Sequence, residues 1–325
     1  MKIVNKLTGR QVDEGLRYAF FLVVLLTGSL VNSSCDRREL TYSETSEVVL
    51  TADWSRADLD EEKAYGSTAI FYPQDGGKPC VALMGDRTRS TVRLPLGSYD
   101  VVLFNRSFDD FGAVAFRGQD RFETLEAYAR KVETRSDTRI IVSSPEKLAT
   151  AVIRNFKVTA GCELHFEPTP LTRKIQTTLR VKGLHNVRNA RCTLSDIPLS
   201  VFLADGRPNT DTGSQEFVVA NPVFDEGSQV DGTLTGTLNV FGINTEAPHD
   251  VTLNAQLIDG KTEVQQQLTG VTIREADVGD NVLVLYIEAS SPEPLPDVKP
   301  EGGSDSGFDA DVGEWGEETT EEIPV

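Results

Sequence analysis

Apolar residues recur at every second position through most of this chain, and that period confines the fold more than any other feature. In residues 47–54 (EVVLTADW), Val48, Leu50, Ala52 and Trp54 fall on one face. In residues 174–184 (KIQTTLRVKGL), Ile175, Thr177, Leu179 and Val181 alternate with Gln176, Thr178, Arg180 and Lys182. Leu234, Leu238 and Val240 follow the same rule, as do Val251, Leu253, Ala255 and Leu257. Successive side chains of a strand point to opposite faces, so this pattern describes antiparallel strands with one face buried and one wet. Asp-Gly or Gly-Gly pairs punctuate it at residues 75–77, 205–206, 231–232 and 259–260. The last of these separates VTLNAQLI from KTEVQQQLTGV and predicts a hairpin. Short strands broken by turns at this rate read as β-sandwiches.

Two segments depart from the period. Residues 122–132 (FETLEAYARKV) space their apolar side chains as a helix would. Ser144, Pro145 and Glu146 form a helix-start signal, with serine as cap and proline at the first helical position, leading into KLATAVIRNF. Both are expected as short helical insertions in an all-β framework. Prolines at 168 and 170 should break strand pairing and mark a boundary. The expected organisation is a leader over residues 1–34, sandwiches over 36–167 and 168–290, and a tail over 291–325.

The tail carries eleven acidic residues and one lysine, with too little apolar content to offset its ordering entropy, and is expected to be disordered. Over the whole chain the formal net charge is -18, which argues against nucleic acid as a partner and against a basic patch on anionic lipid. Membrane attachment would have to be apolar or covalent. The leader has that layout: Lys2, Lys6, Arg10 and Arg17 precede an apolar run at residues 18–26 (YAFFLVVLL), too short to span a bilayer, which needs about 20 residues. This is a secretion signal. Cys35 lies where a lipoprotein signal places its acylated cysteine, after the small residues Ser33 and Ser34, although Asn32 stands where leucine is usual. Spacing favours lipidation of Cys35 and leaves an ordinary cut beside an unmodified cysteine as the alternative. Of the other cysteines, Cys162 and Cys192 could form a disulfide in an exported domain, and Cys80 reads as a small buried side chain.

No arrangement of residues carries chemistry. The chain has no G-x-S-x-G elbow, phosphate loop, H-E-x-x-H or zinc cysteine pattern, so no catalytic residue, metal ligand or cofactor is expected. His165, His185 and His249 are far apart in sequence, and the carboxylates at 60–62 and 109–110 read as solvated loops. The tail's DADVGEWGEE lacks the regular third ligand and framing helices of a calcium loop. Its Phe308 and Trp315 are apolar residues in a polar setting, free to dock on a partner or on the sandwich.

Several stretches resemble one family specifically. Residues 35–55 (CDRRELTYSETSEVVLTADWS), 69–77 (AIFYPQDGG), 92–118 (VRLPLGSYDVVLFNRSFDDFGAVAFRG), 170–187 (PLTRKIQTTLRVKGLHNV) and 232–243 (GTLTGTLNVFGI) resemble Bacteroidales lipoproteins related to fimbrial anchor and accessory subunits, of the DUF5119-like kind. The resemblance covers residues 35–290. It implies two tandem transthyretin-like antiparallel sandwiches, no catalytic activity, and a place in or near a type V pilus whose subunits join by strand addition. It maps the lipidated cysteine onto Cys35, and so implies an outer-membrane lipoprotein, anchored through that lipid and facing the cell surface. Stalk subunits of this kind are cleaved after a basic residue in the first domain; Arg56, Arg117 and Arg130 are candidates, and nothing in the sequence singles one out. The acidic tail is a poor donor strand and residues 280–289 (DNVLVLYIEA) a better one. The alternative role is a surface lipoprotein binding glycans or host ligands through the sandwich loops.

Overall fold

The period-two pattern folds as strands nearly throughout. The computed structural model describes residues 44–59, 65–132, 140–277 and 283–301. In the first half the strands are β1 (Thr45–Ala52), β2 (Ser67–Pro73), β3 (Cys80–Met84), β4 (Arg89–Pro95), β5 (Gly97–Asn105), β6 (Val114–Arg117), β7 (Glu126–Ala129), β8 (Ile141–Val142), β9 (Ala149–Val158), β10 (Cys162–Phe166) and β11 (Thr169–Pro170). The second half adds β12 (Arg173–Val181), β13 (Val187–Pro198), β14 (Ser200–Phe202), β15 (Thr212–Phe224), β16 (Gly232–Val240), β17 (Val251–Leu257), β18 (Glu263–Gln267), β19 (Thr269–Asp277) and β20 (Leu283–Ser290).

Two sheets of the first half enclose one core. A three-stranded sheet, β10-β1-β4, contributes Val48, Leu50, Leu94 and Phe166, and a five-stranded sheet, β11-β9-β5-β2-β3, contributes Ala69, Phe71, Val101 and Leu103. Each such side chain contributes about 1.5–3 kcal/mol by leaving water. The five-stranded sheet is buried on its other face too, where Ile70, Tyr72, Val102 and Phe104 join a second core. That explains why β2 is apolar without alternation.

The second core is shared across the chain. It is lined mainly by a nine-stranded sheet ordered β18-β17-β13-β15-β16-β12-β20-β19, with β8 beside β15. Leu253 and Ala255 near one edge and Leu285 and Ile287 near the other line the same core, so the sheet curls over itself. A small third sheet, β14-β7-β6, joins residues from both halves. The expected boundary near residue 168 therefore separates the two large sheets but not the hydrophobic core, and the described residues from Thr45 onward belong to one compact unit.

The hairpin expected at Asp259 and Gly260 forms between β17 and β18, with Asp259 accepting the amides of Lys261 and Thr262. Other expectations are corrected. The sheets are not purely antiparallel: β1 pairs β10, β12 pairs β20 and β8 pairs β15 in parallel. Such pairs need long connections, which alternation within single strands does not reveal. Residues 122–132 form one 3-10 turn, Phe122–Thr124, followed by β7, because beyond Leu125 the buried residues Ala127 and Ala129 keep a period of two. The helix expected after Ser144 is instead β9, rich in β-branched Thr150, Val152 and Ile153. Its presumed capping groups serve other loops. The Ser144 hydroxyl accepts the Asn239 amide, and the Glu146 carboxylate accepts the amides of Gly112 and Ala113. The prolines near 168 do not end pairing, since Thr169 and Pro170 lie antiparallel to β9 at a sheet edge, where a missing donor costs little.

The tail expectation is corrected over its first part. Residues 291–301 run along the surface of the second half, the amides of Ser291, Leu295 and Glu301 donating to the carbonyls of Arg180, Lys182 and Ile258. Leu295 is buried against Gly183, whose φ of +74° suits glycine; a methyl group there would lie 2.9 Å from the Leu295 carbonyl oxygen. Prolines at 292, 294 and 296 keep this strap extended before it docks, which lowers the entropy its ordering costs. An average over the whole acidic segment hides one anchoring leucine. Residues 302–325 lie outside the described residues.

Candidate functional site

A cleft of about 900 Å³ opens in the nine-stranded sheet, where β13 and β15 part. The two strands pair from Pro198 and Thr212 as far as Ala190 and Val219. Beyond that point β15 bulges between Ala220 and Val223, with Asn221 at φ +53°, and crosses onto β16. Asparagine is among the few residues that tolerate that conformation, and Pro222 beside it cannot donate to a ladder. The bulge is accommodated because β16 has glycine where β15 crosses. A methyl group at Gly232 would overlap the Val223 carbonyl oxygen and lie 2.9 Å from Leu184 Cδ2 and from Phe224 Cα.

The divergence leaves two backbone edges facing the gap: residues 187–189, paired to β17 on their other side, and residues 220–224, paired to β16 on theirs. Leu184, Val219 and Leu234 form the apolar floor. Val218, which lines the cleft, is 61% exposed, and Val223 and Phe224, next along β15, are exposed too. The charged groups in the cleft are Arg188, Arg191 and Glu263. Arg188 pairs with Glu301 at 2.5 Å, and Arg191 with Glu216 at 3.3 Å. Unpaired donors and acceptors beside an apolar floor are what an added β-strand requires.

Residues singled out in the sequence are dispersed. Cys35 lies outside the described residues, as do the carboxylates at 60–62, Phe308 and Trp315. Cys162 and Cys192 do not pair: both are free thiols, Cys162 half-buried against the first core and Cys192 fully buried in the second. Burial pushes the Cys192 thiol up to about 12, so it is inert rather than poised for exchange. Cys80, at the end of β3, is likewise a half-buried free thiol. The histidines take separate structural roles. His249 is buried between the carbonyls of Ser195 and Asn244, His185 lies 3.3 Å from Asp297, and His165 contacts the Thr51 hydroxyl. Asp110 accepts the amide and hydroxyl of Ser107. Residues 283–290 of the segment considered as a donor strand are β20, already paired on both sides within its own sheet.

Sequence reading missed one ionised centre. Glu126 of β7, 5% exposed, accepts Arg117 through two bonds of 2.6 and 2.8 Å, Asn209 Nδ2 at 2.7 Å and the Ser200 hydroxyl. Burial raises its pKa, but the Arg117, Ser200 and Asn209 hydrogen bonds together with the Arg117 charge outweigh that and leave it at about 2. Of the candidate cleavage arginines, Arg117 is thus held in this network. Arg56 and Arg130 are exposed. Both carboxylate oxygens of Glu126 accept donors within the fold, which makes the group a cross-link between β6, β7 and β14.

The model of the family described as "Domain of unknown function (DUF5119)" matches residues 34–217. A curated protein of Bacteroides ovatus (strain ATCC 8483), named "Putative fimbrium anchoring subunit Fim4B", is 22% identical over 349 aligned positions, which cover 95% of this chain and 98% of that protein. A solved structure described as a "putative adhesin", also from Bacteroides ovatus ATCC 8483, is 20% identical with a TM-score of 0.54, covering 72% of this chain and 87% of that one, and shares the fold. Matched over more than half its length, from the residue before Cys35 into β15, this chain belongs to the DUF5119 family.

Proposed function

We propose that this chain is a non-enzymatic fimbrial subunit of the cell surface, an anchor or accessory member that receives a strand from its partner in the cleft between β13 and β15. The cleft carries the reading: it presents two unpaired strand edges over an apolar floor, a surface that serves recognition by backbone pairing and has no evident catalytic use. The name of the curated relative supports the fimbrial part, and the length over which the two align extends that support to the whole chain. The same reading takes each half as a transthyretin-like sandwich and places the protein at the outer membrane through a lipid on Cys35. An anchored subunit needs a tether that tolerates traction, and two acyl chains at one cysteine supply it where a surface of charge -18 cannot.

Replacing Cys35 with alanine in cells that make the protein is expected to move it from the membrane fraction to the soluble envelope fraction, with loss of the acyl mass from its N-terminal peptide. Retention in the membrane, with no acyl mass on the native protein, would remove the tether from the account.

A further inference from the structure

We infer that β3 is a self-pairing edge: two copies of this chain join antiparallel through residues 80–84 about a two-fold axis at Ala82, merging their five-stranded sheets into one. The contact lies in a different sheet from the cleft between β13 and β15 and stands apart from any strand captured there.

β3 ends its sheet, paired to β2 on one side and to no described strand on the other. Such an edge is a template for a further strand, and proteins ordinarily blunt it with charge, proline or cover. The other described edges are blunted in these ways. β4 carries Arg93, β6 Arg117, β10 Glu163, β18 Glu263 and β19 Arg274, while β11 ends on Pro170. β14 is covered by residues 207–209, which exchange backbone hydrogen bonds with its two ends. β3 reads CVALM and has none of these devices. Its Val81 and Leu83 are 49% and 66% exposed. They lie opposite Ile70 and Thr68 of β2, which are buried, so β3 carries the apolar face of the sheet past the end of the core.

The register selects the occupant. A two-fold contact needs a patch that complements itself. With Ala82 opposite Ala82 of the second copy, Val81 falls opposite Leu83 and Cys80 opposite Met84, so every pair across the axis is apolar. Alanine, the smallest of the five side chains, sits on the axis itself. The same register sets Lys78 of each copy opposite Asp86 of the other. Both are exposed; Lys78 has no ion pair among the described residues, and Asp86 is held in place by the Thr88 amide and hydroxyl on its Oδ1. Two chains of net charge -18 repel at a distance, and these two pairs make the contact locally attractive. Five residues a side fall short of a standard interface, so association is concentration-dependent, on the order of micromolar or weaker. A pair so formed presents two clefts and can hold two strands at once.

Oxidative crosslinking of the full chain tests this. Directly opposed residues of antiparallel strands have Cα atoms about 4.5–5.5 Å apart, within disulfide reach. Ala82→Cys, oxidised with diamide at about 100 µM, is expected to give at least about tenfold more dimer than the native chain, joined through position 82 by peptide mass spectrometry. Adding Leu83→Lys is expected to cut that yield about tenfold, and adding Lys78→Glu about fivefold. Both side chains are exposed, so unchanged denaturation midpoints should show that the contact, not the fold, was lost. Sedimentation of the native chain needs no substitution: its mass should rise from one chain towards two between about 1 and about 200 µM. A constant monomer mass with no dimer through position 82 would overturn the inference, as would a dimer that neither added substitution reduces. A crosslink from position 82 to another fimbrial subunit would overturn it in favour of a partner strand. None of these results bears on the cleft, whose own capture of a strand is read separately.

Discussion

Glu126→Gln is expected to lower unfolding free energy at pH 7 by about 3 kcal/mol, because a buried charge-assisted network loses its acceptor and Arg117, Ser200 and Asn209 are left facing an amide. The native protein should carry a matching acid signature. The folded carboxyl titrates at about 2 against an ordinary value of 4.5, so its folded pKa is depressed and the folded state prefers the ionised form. The stability this contributes is complete above about pH 4.5, declines as pH falls, and is gone below about pH 2. Arg117 is half exposed, so solvent screening reduces the contribution to about 2 kcal/mol. Urea midpoints from pH 7 down to pH 2.5 measure it directly. The gap between native and Glu126→Gln chains should narrow by about that amount, whereas parallel curves would mean that Glu126 is not held ionised.

The second large effect concerns the wall of the cleft. Gly232→Ala places a methyl group into the Val223 carbonyl, with Leu184 and Phe224 also within 2.9 Å, and the nearest of these atoms is backbone that cannot turn aside. The end of β15 must lift from β16, at an expected cost of about 3 kcal/mol, and Gly232→Val should cost more. Denaturation midpoints give the loss, and exchange at residues 223–224 and 232–233, which pair across this hairpin, should rise most. A loss below about 1 kcal/mol would show that the hairpin is loose at the crossing. Because the crossing creates the gap between β13 and β15, the same variant should also weaken partner capture.

Much of the sheet content was legible because it is written locally. The residues of β12 and β17 that alternate in sequence are the ones buried in the structure. What was illegible depends on neighbours distant in the chain. β1 lies beside β10 across more than a hundred residues, and nothing in either strand names the other. Glu126 sits in a stretch that reads as helical, and its partners Ser200 and Asn209 come from a different part of the sequence. The cleft left one local trace, since Asn221 and Pro222 interrupt an otherwise good strand, and such an interruption marks a bulge or an edge. The strap was missed because composition weighs every residue alike, while docking turned on Leu295 opposite Gly183. The proposed lipid attachment is the reverse case: it is read from sequence alone, at Cys35, which lies outside the described residues.

The central claim is that a fimbrial partner inserts a strand between β13 and β15. A photo-crosslinking residue at Val218, exposed at the rim of the cleft, tests it in the full chain made by fimbriated cells, with the crosslinked peptide identified by mass spectrometry after fimbriae are isolated. The account predicts a crosslink to one extended segment of a fimbrial subunit, in fibres that contain this chain. Fibres that assemble without this chain, or that contain it with Val218 crosslinked to no fimbrial segment, would contradict it.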